Sequence, residues 1–325
     1  MKLARRTFLG LTAGSAALPA VSRLVWAQAY PTKPVRMFVG FAAGGGTDIL
    51  ARLIGQRLSE RLGQQFIVEN RPGGNSNIAT EAVVRAPPDG YTLLVVDNSP
   101  AINASVYEKL NFNFIRDIAP VASIARAGYV MEVSPSVPAK TVPEFIAYAK
   151  ANPGKLNMAS AGIGGGPHLC GELFKMMTGI NLVHVPYRGG APAVTDLIGG
   201  QVQVLFVGLL ASTEYIRTGQ VRALAVTTAT RSEVLPDIPS LSEFLPGYEA
   251  DDWKGIVAPK NTPPEIIDKL NKEINAGLAD PKLKARFAEL GSPALPGSPT
   301  DFGKLIADDI EKWAKVVKFA GIKAD

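Results

Sequence analysis

Apolar and polar positions alternate along the chain in two rhythms. "KPVRMFVGF" reads as a strand. After it, Ile49, Leu50, Leu53, Ile54, Leu58 and Leu62 recur at helical spacing and predict a helix from Thr47 to about Leu62. "QQFIVEN" predicts a second strand, "SNIATEAVVRA" a second helix, and "YTLLVVDN" a third strand ending at a polar bend, "NSPAINASVY". The apolar runs "PVASIARA" and "YVMEVSP" follow, then the helix "TVPEFIAYAKAN" and the strand "KLNMASA". Helices "PHLCGELFKMMTG", "PAVTDLIGG" and "ASTEYIRTG" then alternate with strands "NLVHVPY", "VQVLFVG" and "VRALAVTT". Such alternation predicts mostly parallel sheets flanked by helices, an α/β architecture.

The last part changes character. "DDWKGIVAP" is one strand, followed only by helices from about Pro264 to Ala279, Pro281 to Leu290 and Thr300 to Ala320. The final helix carries Phe302, Leu305, Ile306, Ile310, Trp313, Val316, Val317 and Ala320 on one face, which needs covering. The simplest arrangement is two lobes, residues 30–130 with 251–325 and residues 131–250. The chain then crosses near Ala127 to Met131 and returns near Tyr248 to Trp253.

The first 29 residues read as an export signal rather than part of the fold. Lys2, Arg5 and Arg6 form its charged start, and Ala27-Gln28-Ala29 a small-residue cleavage site, with cleavage after Ala29. "RRTFLG" fits the twin-arginine pattern. A single membrane anchor is the rival, but roughly 14 weakly apolar residues are short for a bilayer. Removing the signal takes away four basic residues (with Arg23) and no acid, so the formal charge falls from +5 to +1. No basic stripe remains to bind nucleic acid. The single cysteine, Cys170, has no partner for an internal disulfide, and two histidines without ligand spacing do not make a zinc site.

Ligands of open α/β sheets collect at the carboxyl ends of strands. Two of those ends are alike: Gly44-Gly45-Gly46-Thr47 and Gly164-Gly165-Gly166-Pro167, each a glycine triplet opening a helix, one in each lobe. Bare backbone N–H groups at a helix start attract anions. Neither triplet has the lysine and spacing of a phosphate loop, and the first joint lacks the dinucleotide pattern. No "GxSxG" string occurs, no carboxylate pair stands out, and no cofactor motif is present. Asp48 reads as a first-turn capping residue. His168 either donates to a ligand or fixes its loop, and His184 reads as a satisfied core residue. Arg71 and Arg188 read as loop-stitching residues, with pairing to a ligand carboxylate as the alternative. Trp253 either walls the cleft or belongs to the core.

"YPTKPVRMFVGFAAGGGTDILAR", "VENRPGGNSNIATEAV", "PDGYTLLV", "VPYRGGAPAVTDLIGGQVQVLF" and "RALAVTTATRSEVLPDIPSLSE" resemble, in that order, the tripartite tricarboxylate transporter solute-binding receptors, the TctC or Bug family. The resemblance implies a periplasmic, monomeric two-lobed binding protein of the Venus-flytrap kind. It would close on a small carboxylate and deliver it to membrane transporter subunits, with no cofactor and no catalysis. By position it carries ligand contacts to Gly44, Gly45, Gly46, Thr47 and Asp48, and to Gly164, Gly165, Gly166 and His168 in "GIGGGPHL". Asn98, Ser99, Tyr187, Arg188 and Gly208 complete the set. Three departures stand out. Ala42-Ala43 replace a pair that usually contains proline, Gly165 replaces a frequent serine or threonine, and Val207-Gly208 replace a frequent Asp-Asn. Together they imply a less polar pocket and a non-amino carboxylate. A sensor for a membrane kinase and an enzyme using His168 as base are the rival functions.

Overall fold

The computed structural model describes residues 30–187 and 190–323; the export signal with its cleavage site, and Arg188, lie outside the described residues. In chain order, β1 (Val35–Val39), α1 (Gly46–Leu62), β2 (Phe66–Asn70), α2 (Asn77–Val84) and β3 (Thr92–Val96) wind as parallel strands joined by helices. Next come α3 (Ser99–Val106), the short α4 (Phe114–Asp117) and the 16-residue strand β4 (Ile118–Val133). A second winding follows: α5 (Val142–Ala151), β5 (Asn157–Ser160), α6 (Gly166–Thr178), β6 (Val183–Pro186), α7 (Gly190–Ile198), β7 (Val204–Gly208), α8 (Leu209–Arg217) and β8 (Arg222–Val226). The chain ends with β9 (Asp251–Pro259), α9 (Pro264–Leu278), α10 (Pro281–Glu289) and α11 (Pro299–Ala320).

Strand β4 joins the two windings. Ile118 to Gly128 pair with β9, which in turn pairs with β3; from Tyr129 onward the same strand pairs with β7 and β8. The two apolar runs read from the sequence as separate are therefore one strand that changes partner between Gly128 and Tyr129. The sheets are mixed. β1, β2 and β3 are parallel, as are β5, β6 and β7, because helices connect them; β4 and β9 run antiparallel to their neighbours.

The polar bend after β3 is a helix. Pro100 sits in its first turn, where no N–H is needed, and Ala101, Ile102 and Val106 are buried. Eight residues opening on Asn, Ser and Pro carry too little periodicity to show this in sequence. Helix α11 also differs from expectation. Phe302 and Ile306 pack with Phe38, Leu94 and Trp253 on the first sheet, while Trp313, Val316 and Val317 pack with Tyr129, Leu169 and Phe174 on the second. A 22-residue helix is about 33 Å long at 1.5 Å per residue, enough to span both units. Trp253 is a core residue: its ring meets Phe302 edge-on at 5.4 Å and its indole N–H donates to Asp309 Oδ2 at 2.8 Å.

Candidate functional site

The first triplet is open. Residues 42–46 are exposed, and α1 starts with Gly45 in extended geometry and no side-chain cap. The first helical bond runs from Ile49 N–H to Gly45 O, so the N–H groups of Gly46, Thr47 and Asp48 have no acceptor among the described residues. Gly44 has φ +85°, which glycine adopts without strain. Its N–H donates to Asp48 Oδ2 at 2.8 Å, and the other carboxyl oxygen of Asp48 accepts from Asn70 at 2.9 Å. Arg52 also binds this carboxylate. Burial works to raise the Asp48 pKa, but the hydrogen bonds from Arg52, Gly44 and Asn70 outweigh it and hold the carboxyl below its ordinary value. Asp48 is thus turned inward, shaping the loop.

The second triplet repeats this geometry. Gly164 has φ +72°, Gly165 caps α6 in extended geometry without a side-chain bond, and Leu169 N–H reaches Gly165 O. Gly164 N–H donates to His168 Nδ1 at 3.0 Å, again four residues on. This loop, however, is covered. Gly164 lies against Val106 of α3, and a Cβ at Gly166 would overlap the Tyr129 hydroxyl. Only Ile163, at the loop tip, is strongly exposed, at 64%.

Of the two readings of His168, loop fixing matches its contacts. It is 4% exposed, and its Nε2 faces Glu172 Oε1 at 3.5 Å. His184 is half-buried rather than a plain core residue. Its Nε2 shares a 2.7 Å hydrogen bond with Ser160 Oγ, which also donates to Gly162 O at 2.9 Å.

Of the remaining candidates, Asn98, Ser99 and Gly208 lie near the strand that joins the sheets, while Arg71 and Tyr187 follow the outer strands β2 and β6. Asn98 donates to Asp251 O at 2.8 Å, and Ser99 N–H donates to Asp97 Oδ1 at 3.0 Å, so both are turned into the fold. Gly208 stands opposite Tyr129 in the β4–β7 ladder. Tyr187 donates its hydroxyl to Asp196 at 2.6 Å; burial and then Asp196 push its pKa up to about 12. Arg71 lies over the Phe38 ring at 3.9 Å and beside Glu69 at 3.5 Å, a stitching role.

Sequence reasoning missed Tyr129. It is buried, it adjoins both Gly166 and Gly208, and its hydroxyl makes no hydrogen bond to any described residue. Nothing in "ARAGYVMEV" marks it, because its place depends on where β4 changes partner. Acidic groups surround this point. Asp97 is pushed up to about 6 by burial and by Asp252, against the pull of Lys254. Asp251 is raised to about 7 by burial, against Arg126 and Lys312.

A cavity of about 310 Å³ opens at the first triplet. Gly44, Gly46, Ile49 and Leu50 line it together with Ala211 of α8 and with Leu290 and Ser292 beyond α10. It therefore lies between the two windings. Its lining takes nothing from the second triplet.

Two strand-and-helix units sharing one continuous strand, each opening a helix with a glycine triplet, define a two-lobed binding protein. The chain belongs to the tripartite tricarboxylate transporter family of receptors, whose family model matches residues 50–322. Protein BugT of Bordetella pertussis (strain Tohama I) is 36% identical over 302 residues, covering 92% of this chain and 93% of its own. Among solved structures, R. palustris Rpa4515 with adipate is 39% identical with a TM-score of 0.78, covering 90% of this chain and 99% of that one. MatC (Rpa3494) from Rhodopseudomonas palustris with bound malate is 30% identical, TM-score 0.75, covering 89% and 100%.

Proposed function

We propose that the protein is a periplasmic receptor that captures a small carboxylate between its lobes and hands it to a membrane transporter. The lobes are residues 30–130 with 251–325, and residues 131–250, hinged on β4 and β9. The observation that carries this is the start of α1, whose first-turn N–H groups have no acceptor among the described residues and whose Gly44 and Gly46 line a cavity between the two units. Family membership and the adipate and malate of the two structural relatives support the carboxylate. A helix N-terminus holds such an anion without a side-chain cation. Binding shifts the balance between open and closed lobes. The Tyr129 hydroxyl, which reaches Gly166 of the second lobe from the strand where the lobes join, supplies a further donor. Both ring nitrogens of His168 face local groups, Nδ1 the Gly164 N–H and Nε2 the carboxylate of Glu172 in α6, which supports a receptor without catalysis.

A thermal-shift screen with mono-, di- and tricarboxylates tests the reading. Ligand at 100 times its dissociation constant adds about 2.7 kcal/mol of stability. Gly45→Leu leaves the fold intact, because a Cβ there meets nothing closer than Ala42 O at 3.5 Å. The variant should lose the shift. Retention of the full shift would place the carboxylate elsewhere.

A further inference from the structure

A fully buried carboxylic acid sits in the second lobe. Glu132 of β4 is 0% exposed, between Leu205 of β7 and Ala223 of β8 in the two ladders. Neither of its carboxyl oxygens has a hydrogen-bond partner among the described residues. Ser212 of α8 is also 0% exposed, and its hydroxyl is likewise without a partner. The two groups adjoin: besides burial, which lifts the Glu132 pKa from 4.5 to about 7, the influence on the acid comes from Ser212. Charged groups on the neighbouring elements are turned elsewhere. Asp196 of α7 accepts from the Tyr187 hydroxyl, and Arg222 of β8 donates to the carbonyls of Val137 and Ala139. Glu214 and Arg217 of α8, and Glu233 and Asp237 after β8, are exposed. A neutral acid can donate its proton to the Ser212 hydroxyl, whereas an ionised carboxylate in this apolar place has nothing to replace water.

Helix α8 has two working sides. Leu209, Ser212 and Ile216 follow one another at helical spacing, and Leu209 and Ile216 pack in the apolar cluster that contains Val130 of β4. Ala211, next to Ser212, lines the cavity at the first triplet. Strand β4 is held on both edges by its ladders with β7 and β8, whereas α8 meets it through side chains. We propose that Glu132 and Ser212 form a proton-operated latch: the protonated acid holds α8 against β4, and loss of the proton releases α8 and with it the cavity wall at Ala211. Ionisation needs water, and α8 is the element that can part to admit it. Ligand affinity therefore falls as pH rises through 7. The link to affinity rests on the carboxylate-receptor reading; the release of α8 does not.

Amide hydrogen exchange of the ligand-free protein at pH 6 and pH 8.5, expressed as protection factors, tests the latch. In the wild type, protection of α8 should fall about fivefold or more at the higher pH relative to α5. Glu132→Gln, neutral at both values, should show no such fall, and Ser212→Ala should have lost protection in α8 already at pH 6. Equal wild-type protection at the two pH values, an equal fall in Glu132→Gln, or full protection in Ser212→Ala would overturn the latch. Titration with succinate, adipate and citrate at the same pH values reads the cavity. Affinity should fall about fivefold or more in the wild type and stay within about twofold in Glu132→Gln. Binding that ignores pH while α8 loosens would overturn the link to the cavity and leave the receptor reading standing. Should no carboxylate bind at either pH, the receptor reading falls, and the exchange data still decide the latch.

Discussion

The rings of His168 and His184 stack face to face, 3.6 Å between centroids and 9° from parallel. Between them they fasten both ends of the Gly162-Ile163-Gly164 tip: His168 through Gly164 N–H, His184 through Ser160 and so Gly162. His168 Nδ1 accepts, which assigns its proton to Nε2, toward Glu172. Burial, and then the neighbouring His168, lower His184 from 6.5 to about 4. Between those values the unfolded chain binds a proton the folded chain refuses, so stability is full above pH 6.5 and falls as pH drops toward 4. His184→Phe keeps a stacked ring without that proton. Urea titrations at pH 7 and pH 5 should show the wild type losing more stability than the variant; equal losses would contradict the stack.

Glu132 has the opposite sign. It is 0% exposed on β4 among apolar side chains, near Ser212, yet neither carboxyl oxygen makes a hydrogen bond of normal geometry. Burial lifts its pKa from 4.5 to about 7, against a small lowering by Ser212. Its stabilising contribution is present below pH 4.5 and is lost as pH rises through 7. Glu132→Gln should match the wild type near pH 4 and exceed it at pH 8, by up to about 3 kcal/mol at about 1.4 kcal/mol per pKa unit. Chemical denaturation at the two pH values reads this directly.

The two triplets share a backbone geometry but not their surroundings, and alanine separates them. A Cβ at Gly166 overlaps the Tyr129 hydroxyl, whereas one at Gly46 meets nothing within 4 Å. Gly166→Ala should cost about 1–3 kcal/mol of stability, as overpacking does, and Gly46→Ala close to nothing. Thermal melts of the two variants check the contrast.

Tyr129→Phe removes a hydroxyl with no partner among the described residues. Stability should hold within about 0.5 kcal/mol, while affinity for the carboxylate should fall about threefold to tenfold, the worth of one hydrogen bond. Unchanged affinity would remove Tyr129 from the site.

The sequence showed the alternation of strands and helices, the strand "DDWKGIVAP" and the three closing helices, because each has a clear period or a clear boundary. It did not show that β4 is continuous, since Gly128 and the short runs around it look like a break. Nor did it show α3, whose Asn-Ser-Pro opening imitates a turn. The two triplets were visible because glycine repeats announce backbone exposure. Their different fates were not, because Val106 and Tyr129, which cover the second, are distant in sequence. The stacked histidines lay 16 residues apart on a helix and a strand, and no local pattern connects them. Ser292 and Ala211 come to line one cavity only once α8 and the segment beyond α10 have been placed.

The central claim is that main-chain N–H groups at the start of α1 hold the ligand's carboxylate. A crystal structure with the tightest ligand of the carboxylate series tests it most directly. The carboxylate oxygens should lie within about 2.7–3.2 Å of N–H groups among Gly46, Thr47 and Asp48. A carboxylate held instead by an arginine or a metal ion, or seated outside the space between the lobes, would contradict it.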